Sequence, residues 1–588
     1  MDIWGYTALV ILAAAAAVLL LQFKKRGANK KLNQRIKAQW GRKSSEKYRD
    51  EDRTAIRCYF DNLRDAEPER PFLDDITWND LDMDNIFKRL NSTHSSTGEE
   101  YLYALLREPL TDPAALAERS RLAEFFRQSP EHRNRLQFML ARLGKARFAG
   151  VSNYFFSRQE YKPFRRIKYL LQLAAFLLSP VVIVLNPPMG ILLLIAAFFY
   201  NMTTYYTAKN ELSAQLNTMS YMVNLISYSK KIANCGIPEL AGYTDKLKKT
   251  ASAMKGASVS SFYQIFYSSQ DPLTEYVKVV FLVELIAFES INRKVSKHRK
   301  ELRELFETVG LLDAMISVAS FRESVPFYCT PVFSAASATS AVSTVSIASG
   351  ASAGPDRAEN TGRPGVSFAD IYHPLIDEPV TNSAEMRKPA LVTGSNASGK
   401  STFLKTVAVN AIFAQTIGTC LAKAYQTCIF RIYTSMALRD DLQSSESYYI
   451  AEIKSLKRIL DSLGDRIPLF CVIDEVLRGT NTIERIAASS EVMRYLAGKN
   501  CLCLTATHDI ELTAILEGLF DNYHFQESFK GDTIIFDYRL YPGKSNTRNA
   551  IRLLEIMGYP QSTVQAARTR AEGFEREGRW VKAGGQDR

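Results

Sequence analysis

Hydrophobic positions along this chain form long uncharged runs, and each run predicts a helix that could span a membrane. The runs are Ile3 to Phe23, Tyr169 to Leu185, and Met189 to about Tyr206. The first has the length of a bilayer-spanning helix, and we interpret it as an anchor; a signal peptide is the alternative. Asn186-Pro187-Pro188 separates the other two, which predicts two short spans in a membrane hairpin. A buried helical hairpin is the alternative for that pair.

Two further stretches predict long helices because neither contains Gly or Pro. From Ile191 to Cys235, apolar residues repeat at intervals of four and three, which predicts a continuous helix with an apolar seam; they are Leu212, Leu216, Met219, Val223 and Ile226. The second stretch runs from Leu273 to Val309. Its apolar centre contains Glu284 and is too short to span a membrane, so we predict a buried helix there.

Charge supports the anchor. The chain of 588 residues has a net charge of +12. Lys24 to Arg49 holds eleven Lys/Arg and one Glu, so +10 of that charge (11 − 1) lies in one segment. A basic segment directly after an apolar run predicts a cytoplasmic C-terminal side and favours anionic lipid over nucleic acid as its partner. The eight cysteines show no metal-ligand spacing, which indicates reduced thiols in a cytosolic domain.

A glycine-rich loop provides the first candidate chemistry. An apolar run, Ala390 to Thr393, predicts a buried strand, and a helix is predicted from Phe403. Between them lies Gly394-Ser395-Asn396-Ala397-Ser398-Gly399-Lys400-Ser401-Thr402, which fits the phosphate-binding pattern G-x-x-x-x-G-K-[ST]. Backbone N–H groups of such a loop bind phosphate oxygens at a helix N-terminus. Lys400 would reach the β- and γ-phosphates, and the Ser401 hydroxyl would bind Mg²⁺.

Two more predicted strands end in candidate catalytic residues. Leu469 to Asp474-Glu475 is an apolar strand that ends in two carboxylates. Asp474 suits the magnesium site, and Glu475 suits a general base that polarises the attacking water. Leu502 to His508 is the next strand, and its terminal histidine is a candidate sensor of the γ-phosphate. A structural role is the alternative for His508.

In this order the motifs resemble the MutS family of ABC-type ATPases over about residues 366–575. Asp474 to Thr480 resembles the family's D-E-x-x-R-G-T, and Ala506-Thr507-His508 its A-T-H. The segment from Asp440 to Ile453 aligns Ser447 with the serine that contacts the partner subunit's nucleotide. The resemblance implies ATP and Mg²⁺ as cofactors and a homodimer with two composite sites. Val380, at the position of an adenine-stacking Phe, and Tyr448-Tyr449 depart from the family pattern.

The predicted fold is a C-terminal α/β P-loop ATPase domain of the ABC type, preceded by an α-helical MutS-like core and lever domain with transmembrane helices. The predicted segments are an anchor (1–23), a basic connection (24–80), a first segment of the helical core (81–168), a membrane hairpin (169–206), a second segment of the helical core with the lever (207–333), an Ala/Ser-rich linker (334–365), the ATPase domain (366–575) and a tail (576–588).

We therefore predict a multi-pass protein of a bacterial-type inner membrane, with three spans per chain and a cytoplasmic ATPase domain. The resemblance also implies DNA as a partner. Because the basic residues are concentrated beside the anchor, we expect only weak, mismatch-independent DNA binding that falls steeply with salt. The alternatives are an ATP-switched membrane scaffold and a transport-related protein without a DNA role.

Overall fold

The computed structural model contains two compact units, which we call the helical unit and the sheet unit. The helical unit comprises Met1–Phe72, Asp84–Pro326 and Thr416–Gly418, and the sheet unit comprises Leu73–Met83, Phe327–Gln415 and Thr419–Arg588. The structure describes residues 23–24, 26–43, 48–146, 150–156, 164–254, 272–334, 364–436, 448–464, 466–478, 480–530, 533–545, 550–578 and 580. The predicted anchor before Phe23, nearly all of the Ala/Ser-rich linker and Ser447 lie outside the described residues.

The helical unit is built from helices of very different length. Residues 26–39 form α1. The following helices are α2 (Asp50–Ala66), α4 (Met83–Leu90), α5 (Ser96–Arg107), α6 (Pro113–Gln128), α7 (Pro130–Leu143), α8 (Val151–Phe156), α9 (Phe164–Leu185), α10 (Pro187–Ala233), α11 (Ala241–Ala253), α12 (Pro272–Phe281), α13 (Val283–Lys297) and α14 (Arg299–Glu323). The short α3 (Asp75–Asp80) belongs to the sheet unit.

The core of the helical unit is centred on the contact between α5 and α14. Asp313 on α14 is fully buried and accepts hydrogen bonds from the backbone N–H groups of His94 and Ser95, at 3.1 and 2.9 Å. Ser95 in turn caps α5 by accepting from the Gly98 N–H at 3.0 Å. A Cβ on Gly98 would lie 2.2 Å from the Asp313 carboxylate, so this close approach requires glycine.

The predicted hairpin corresponds to α9 and the start of α10. The two helices approach so closely that a Cβ on Gly190 would lie 2.3 Å from the backbone nitrogen of Ile183. Pro180 interrupts the hydrogen bonding of α9, and the Ser179 hydroxyl donates to the Phe176 carbonyl at 2.6 Å. By length and composition, Arg165–Leu185 and Pro187–Ser213 are candidate membrane spans. In the most apolar part of each helix, 17% is buried inside the structure.

The continuous helix predicted from Ile191 is confirmed, whereas the stretch from Leu273 to Val309 forms three helices. α10 has 47 residues, or about 70 Å at 1.5 Å per residue. Leu282, in the left-handed region with φ of +50°, separates α12 from α13. His298 separates α13 from α14. Burial of the apolar centre around Glu284 is confirmed, since Val279, Glu284 and Phe288 are all buried.

The described residues of the sheet unit form two sheets. Their strands are β1 (Val332–Phe333), β2 (Val366–Ile371), β3 (Asn382–Met386), β4 (Ala390–Thr393), β5 (Ala424–Thr427), β6 (Arg431–Ser435), β7 (Leu469–Asp474), β8 (Cys501–Ala506), β9 (Asp521–Lys530) and β10 (Thr533–Pro542). The smaller sheet has the order β1-β5-β2-β3, and the larger has β10-β9-β4-β8-β7-β6. From β9 to β6 all neighbours in the larger sheet are parallel, and β10 is antiparallel.

Helices of the sheet unit follow or flank these strands. They are α15 (Lys400–Thr416), α16 (Tyr448–Asp461), α17 (Thr482–Ala497), α18 (Glu511–Ile515), α19 (Ala550–Ile556) and α20 (Gln561–Glu577). Strands β4, β7 and β8 are buried almost throughout. Continuous apolar runs of this kind are typical of parallel strands that are covered on both faces. The sequence prediction of an α/β domain at the C-terminus therefore agrees with the observed topology.

One segment lies in a different unit from the one its sequence position suggests. Leu73–Met83 belongs to the sheet unit, although the sequence analysis divided it between the basic connection and the helical core. Asp80 accepts hydrogen bonds from the Thr434 hydroxyl at 2.7 Å and the Met436 N–H at 3.0 Å. Thr77 accepts from the Thr434 N–H at 3.2 Å. These bonds attach α3 to β6, the edge strand of the larger sheet.

Candidate functional site

The glycine loop lies between β4 and α15, at the carboxyl edge of the larger sheet. Gly394 has φ of +142° and Gly399 has φ of +101°, a region that side chains with a Cβ rarely adopt. A Cβ on Gly394 would lie 2.9 Å from the Phe525 carbonyl oxygen, and one on Gly399 would lie 3.1 Å from the Tyr538 ring. Both glycines are therefore required by backbone conformation and by space. The loop leads directly into the N-terminus of α15, where phosphate groups bind readily.

Lys400 is the first residue of α15, and its side chain folds back over the loop. Only 2% of the residue is exposed. Its ammonium group donates to the carbonyl oxygens of Gly394 and Ser395, at 2.7 and 2.8 Å. Burial lowers the pKa of Lys400 to about 8, against the opposing effect of Asp474, Glu475 and Glu527. The side chain is thus a desolvated cation held at the loop by acceptors that a phosphate could replace.

Strand register brings the two predicted carboxylates to the same edge. Asp474 pairs with Ala506 across β7 and β8, and Val392 pairs with Ala506 across β4 and β8. The residues that follow these positions are therefore neighbours. Glu475 has φ of +62°, and its N–H donates to the Ala506 carbonyl at 3.0 Å. This conformation turns the Glu475 side chain out of the strand direction, and such strained positions are common at functional sites.

His508 lies between the candidate base and the loop lysine. Its Nε2 is 3.2 Å from the Glu475 carboxylate and 3.3 Å from the Lys400 ammonium group. One nitrogen cannot donate to the carboxylate and accept from the ammonium group at once. Because Lys400 already has two carbonyl acceptors, we assign the Nε2 proton to the bond with Glu475. This bond is the main cause of a Glu475 pKa below its usual range, which keeps the carboxylate ionised.

The oxygen donors at this edge fit a magnesium ion bound together with phosphates. Ser401, Thr402 and Asp474 are half-buried or exposed and lie on the two elements that meet here. Within the described part of the chain, no group of three His, Cys, Asp or Glu could hold a metal ion. Mg²⁺ usually binds through one or two carboxylates and the substrate's phosphates, and therefore does not require such a group. Ser401 and Asp474 are the residues that would hold it.

Several contacts of the site are not apparent from the motifs. Glu527 on β9 accepts a short hydrogen bond from the Ser395 hydroxyl and lies near Lys400. Glu452 on α16 accepts the Arg478 N–H at 3.1 Å, which fixes the turn after Glu475. The loop that carries His508 is held by the ion pair of Arg485 and Asp509, at 2.6 Å. None of these contacts has a sequence signal, because each depends on the order of the strands.

Other predicted site residues are only partly placed. Asn396 lies in the short helical turn of the loop, but its side chain is outside the described residues. Ser447 is outside them altogether, so its contact with a partner's nucleotide stays a prediction. Val380, at the position of the adenine-stacking residue, is 42% exposed.

Comparison with known proteins finds a family match in the sheet unit. Residues 390–575 match the family model for MutS domain V. The DNA mismatch repair protein MutS of Methanosarcina barkeri is 27% identical over 321 residues, covering 52% of this chain and 32% of the relative. MutS of Thermus thermophilus is 30% identical over 201 residues, covering 33% and 24%. The DNA mismatch repair protein MutS 2 of Haloarcula marismortui is 33% identical over 183 residues, covering 30% and 19%. The chain thus spans about a third or less of these relatives.

Proposed function

We propose that this MutS-like chain is an ATP hydrolase that binds MgATP at the glycine loop, acts as a homodimer, and is held at a membrane by its apolar helices. The observation that carries the ATPase proposal is that His508 Nε2 lies 3.3 Å from the Lys400 ammonium group and 3.2 Å from the Glu475 carboxylate, at the carboxyl edge of the larger sheet. A lysine at a phosphate-binding loop and a carboxylate that can position the attacking water are groups that phosphoryl transfer to water uses.

In the proposed reaction, Lys400 exchanges its carbonyl acceptors in the loop for the β- and γ-phosphates of ATP. Glu475 accepts a proton from the attacking water, whose oxygen forms a bond with the γ-phosphorus. The bond to the β–γ bridging oxygen breaks, and ADP and phosphate leave. His508 keeps Glu475 ionised and oriented through its Nε2–H. When bound, Mg²⁺ would neutralise charge on the phosphate oxygens.

The membrane location in this proposal is supported by the two apolar helices of the hairpin and by the basic segment after the first apolar run. Leu177, Val184 and Leu192 are each more than half exposed in the structure. A soluble surface rarely exposes apolar side chains in so dense a cluster. We do not extend the proposal to mismatch recognition, because the matched region is a small fraction of the relatives named for it.

The ATPase proposal is tested with the full-length chain purified in detergent. Glu475→Gln should retain nucleotide binding but release phosphate roughly 100-fold more slowly or worse, since a general base typically contributes about that factor. Lys400→Ala should lose nucleotide binding. Glu491→Gln is the matched control, because Glu491 lies on the exposed face of α17 in an ion pair with Arg494. Phosphate release by Glu475→Gln at the rate of the control would refute the assignment.

A further inference from the structure

The helical unit contains a cavity that is separate from the glycine loop. It has a volume of about 670 Å³ and lies between α1 with the residues that follow it, the loop at residues 91–94, and α7. Its polar lining includes Asn91, His94 and Gln137. A cavity of this size accommodates a small molecule or a lipid headgroup.

Hydrogen bonds join the elements that surround this cavity. The Ser92 N–H donates to Ser317 at 2.8 Å, and the neighbouring N–H groups of the same loop bind Asp313. On the protein surface, Asn29 of α1 accepts from Arg142 of α7 at 2.5 Å, which joins two of the helices that line the cavity. After α1, the Gly41 N–H donates to Ser320 of α14 at 3.1 Å. The cavity is therefore a built feature of the unit.

The lining is strongly basic. Arg35, Arg42, Lys43 and Lys145 all line the cavity, and none of the described lining residues is acidic. Lys145 is held at 2.8 Å from the buried Glu99 carboxylate behind the wall. Three of these four cations come from the basic segment that follows the first apolar run. The positive charge of these side chains favours an anionic ligand.

Gln137 indicates that the ligand carries a hydrogen-bond donor. It is 3% exposed, and its Nε2 lies 3.2 Å from His94 Nε2. Its buried Oε1 has no hydrogen-bond partner among the residues that the structure describes. An unpaired buried acceptor costs about 1–3 kcal/mol. Because Gln137 lines the cavity, a ligand donor that reaches its Oε1 would gain affinity.

One wall of the cavity is apolar. Leu32, Ile36 and Trp40 line it, and Ile36 is buried. The Trp40 ring is held by the Arg133 guanidinium, 3.6 Å from the ring centroid. A basic rim, an unpaired acceptor and an apolar wall together match an anionic group that carries a hydroxyl or amine and has a nonpolar continuation.

We propose that this cavity binds a phosphate-bearing ligand with a hydrogen-bond donor beside the phosphate, of the glycerophosphate type. The ligand chemistry is shared by an anionic phospholipid headgroup and a free phosphate ester. The lipid source rests on the proposed membrane location, whereas the free ester does not. The cavity is remote in sequence from the glycine loop, so its ligand binding should survive the loss of ATP hydrolysis.

The test uses the full-length Lys400→Ala chain in detergent, so that ATP hydrolysis plays no role. Trp40 fluorescence reports binding of phosphatidylglycerol with brominated acyl chains, of brominated phosphatidylcholine, and of glycerol 3-phosphate. Arg42→Ala/Lys43→Ala removes two lining charges. Lys30→Ala/Lys31→Ala is the matched control, because it removes two exposed charges of the same segment that do not line the cavity. The fluorescence change that is lost in Trp40→Phe is the part that comes from the cavity, since the chain has four Trp residues.

We expect the Arg42/Lys43 variant to bind about tenfold more weakly or worse, as loss of charge-assisted hydrogen bonds predicts, and the Lys30/Lys31 variant to change less than about threefold. Gln137→Leu should weaken binding while leaving the thermal unfolding midpoint near that of the parent. Binding of phosphatidylglycerol alone identifies a lipid headgroup, and binding of glycerol 3-phosphate as well identifies a phosphate ester in general. Equal weakening in both double variants, equal binding of phosphatidylcholine, or no binding of either phosphate probe would overturn the proposal.

Discussion

The Lys400 ammonium group connects the burial of one side chain to the pH range in which the loop can bind phosphate. Its pKa of about 8 is lower than the ordinary 10.5 because of burial. Below about pH 8 the Lys400 side chain of the ATP-free protein is a cation that attracts ATP, and above this pH it becomes neutral. We expect kcat/KM for ATP to be flat below about pH 8 and to fall about tenfold per pH unit above it, since this ratio reports the free enzyme.

Glu527→Gln sharpens this pH measurement. The Glu527 carboxylate raises the pKa of Lys400, so its removal should shift the start of the decline to lower pH. Glu491→Gln should leave the profile unchanged. The same pKa difference also affects folding stability. Between pH 8 and 10.5 the unfolded chain binds more protons at Lys400 than the folded chain does. The free energy of unfolding of the ATP-free protein should therefore increase across that pH range. A kcat/KM that stays flat to pH 10 contradicts the assignment of Lys400.

For single residues, the sequence indicated which side chains would lie together at the sheet edge, whereas their roles stay predictions. Lys400, Asp474, Glu475 and His508 each follow or end an apolar run, and parallel strands bring such ends together. Glu527 could not be predicted in the same way. It lies on β9, and only the order β9-β4-β8 brings that strand beside the glycine loop.

Among the elements, α10 combines an exposed apolar half with a half that forms the core. Leu216 and Met219 are 3% and 0% exposed, whereas Ile195 and Phe199 are 49% and 60% exposed. Gln215→Pro should therefore break a helix that is packed on the core, at a cost of about 3 kcal/mol or more. Thermal unfolding of the purified chain should shift down by about 4 °C or more, because a given loss of stability moves the midpoint less in a large unit.

Ala196→Pro is the matched substitution in the exposed half of the same helix. It also removes one backbone hydrogen bond of the helix but disturbs few buried contacts. The unfolding midpoint should therefore fall clearly less than it does in Gln215→Pro. Equal shifts from the two variants would mean that the exposed half contributes as much to the folded core as the buried half does.

The spacing of apolar residues predicts which face of a helix is buried. It predicts the ends of the helix less well. The seam from Leu212 to Ile226 is buried as expected. The boundaries at Leu282 and His298 lie within a stretch without Gly or Pro, so no helix-breaking residue marks either of them in the sequence. Leu282 is fully buried in its left-handed conformation, so packing offsets the local strain that its sequence context would not predict.

For the whole molecule, the proposed topology places the turn at Asn186 outside and the basic segment inside. Single cysteines at Asn186 and Ser44 can be probed on intact cells with an impermeant maleimide. Asn186→Cys should be labelled, and Ser44→Cys should be labelled only after the cells are permeabilised. The native thiols interfere little: six of the eight are buried, and burial raises the pKa of Cys58 and of Cys329, the latter to about 11. Labelling of Ser44→Cys alone on intact cells would invert the topology.

The division into units also shows where linear order misleads. Leu73–Met83 lies between two stretches of the helical unit in the chain, yet it packs on the edge strand β6 through Asp80 and Thr77. Its apolar residues, such as the buried Trp78, predict burial without indicating against which element. A long-range edge contact of this kind has no periodic signal in the sequence.

The homodimer proposal makes a prediction about mixtures of two inactive chains. If Ser447 completes the site of the partner, Lys400→Ala and Ser447→Arg remove different halves of each composite site. In a mixed dimer one site then carries both defects and the other carries none, so mixing the two chains should restore some of the ATPase activity. Each variant alone should stay inactive, and Ser447→Arg should still bind ATP.

Two controls decide what the mixture means. Mixing Lys400→Ala with Glu475→Gln should restore nothing, because both residues belong to the same half and every mixed site keeps one defect. Chains are mixed before detergent exchange so that dimers can re-form, and phosphate release is followed against the fraction of each variant. Activity that peaks near equal fractions supports a site completed in trans. A mixture of Lys400→Ala and Ser447→Arg that stays as inactive as the Lys400→Ala and Glu475→Gln mixture means that Ser447 acts within its own chain or that hydrolysis requires both sites intact.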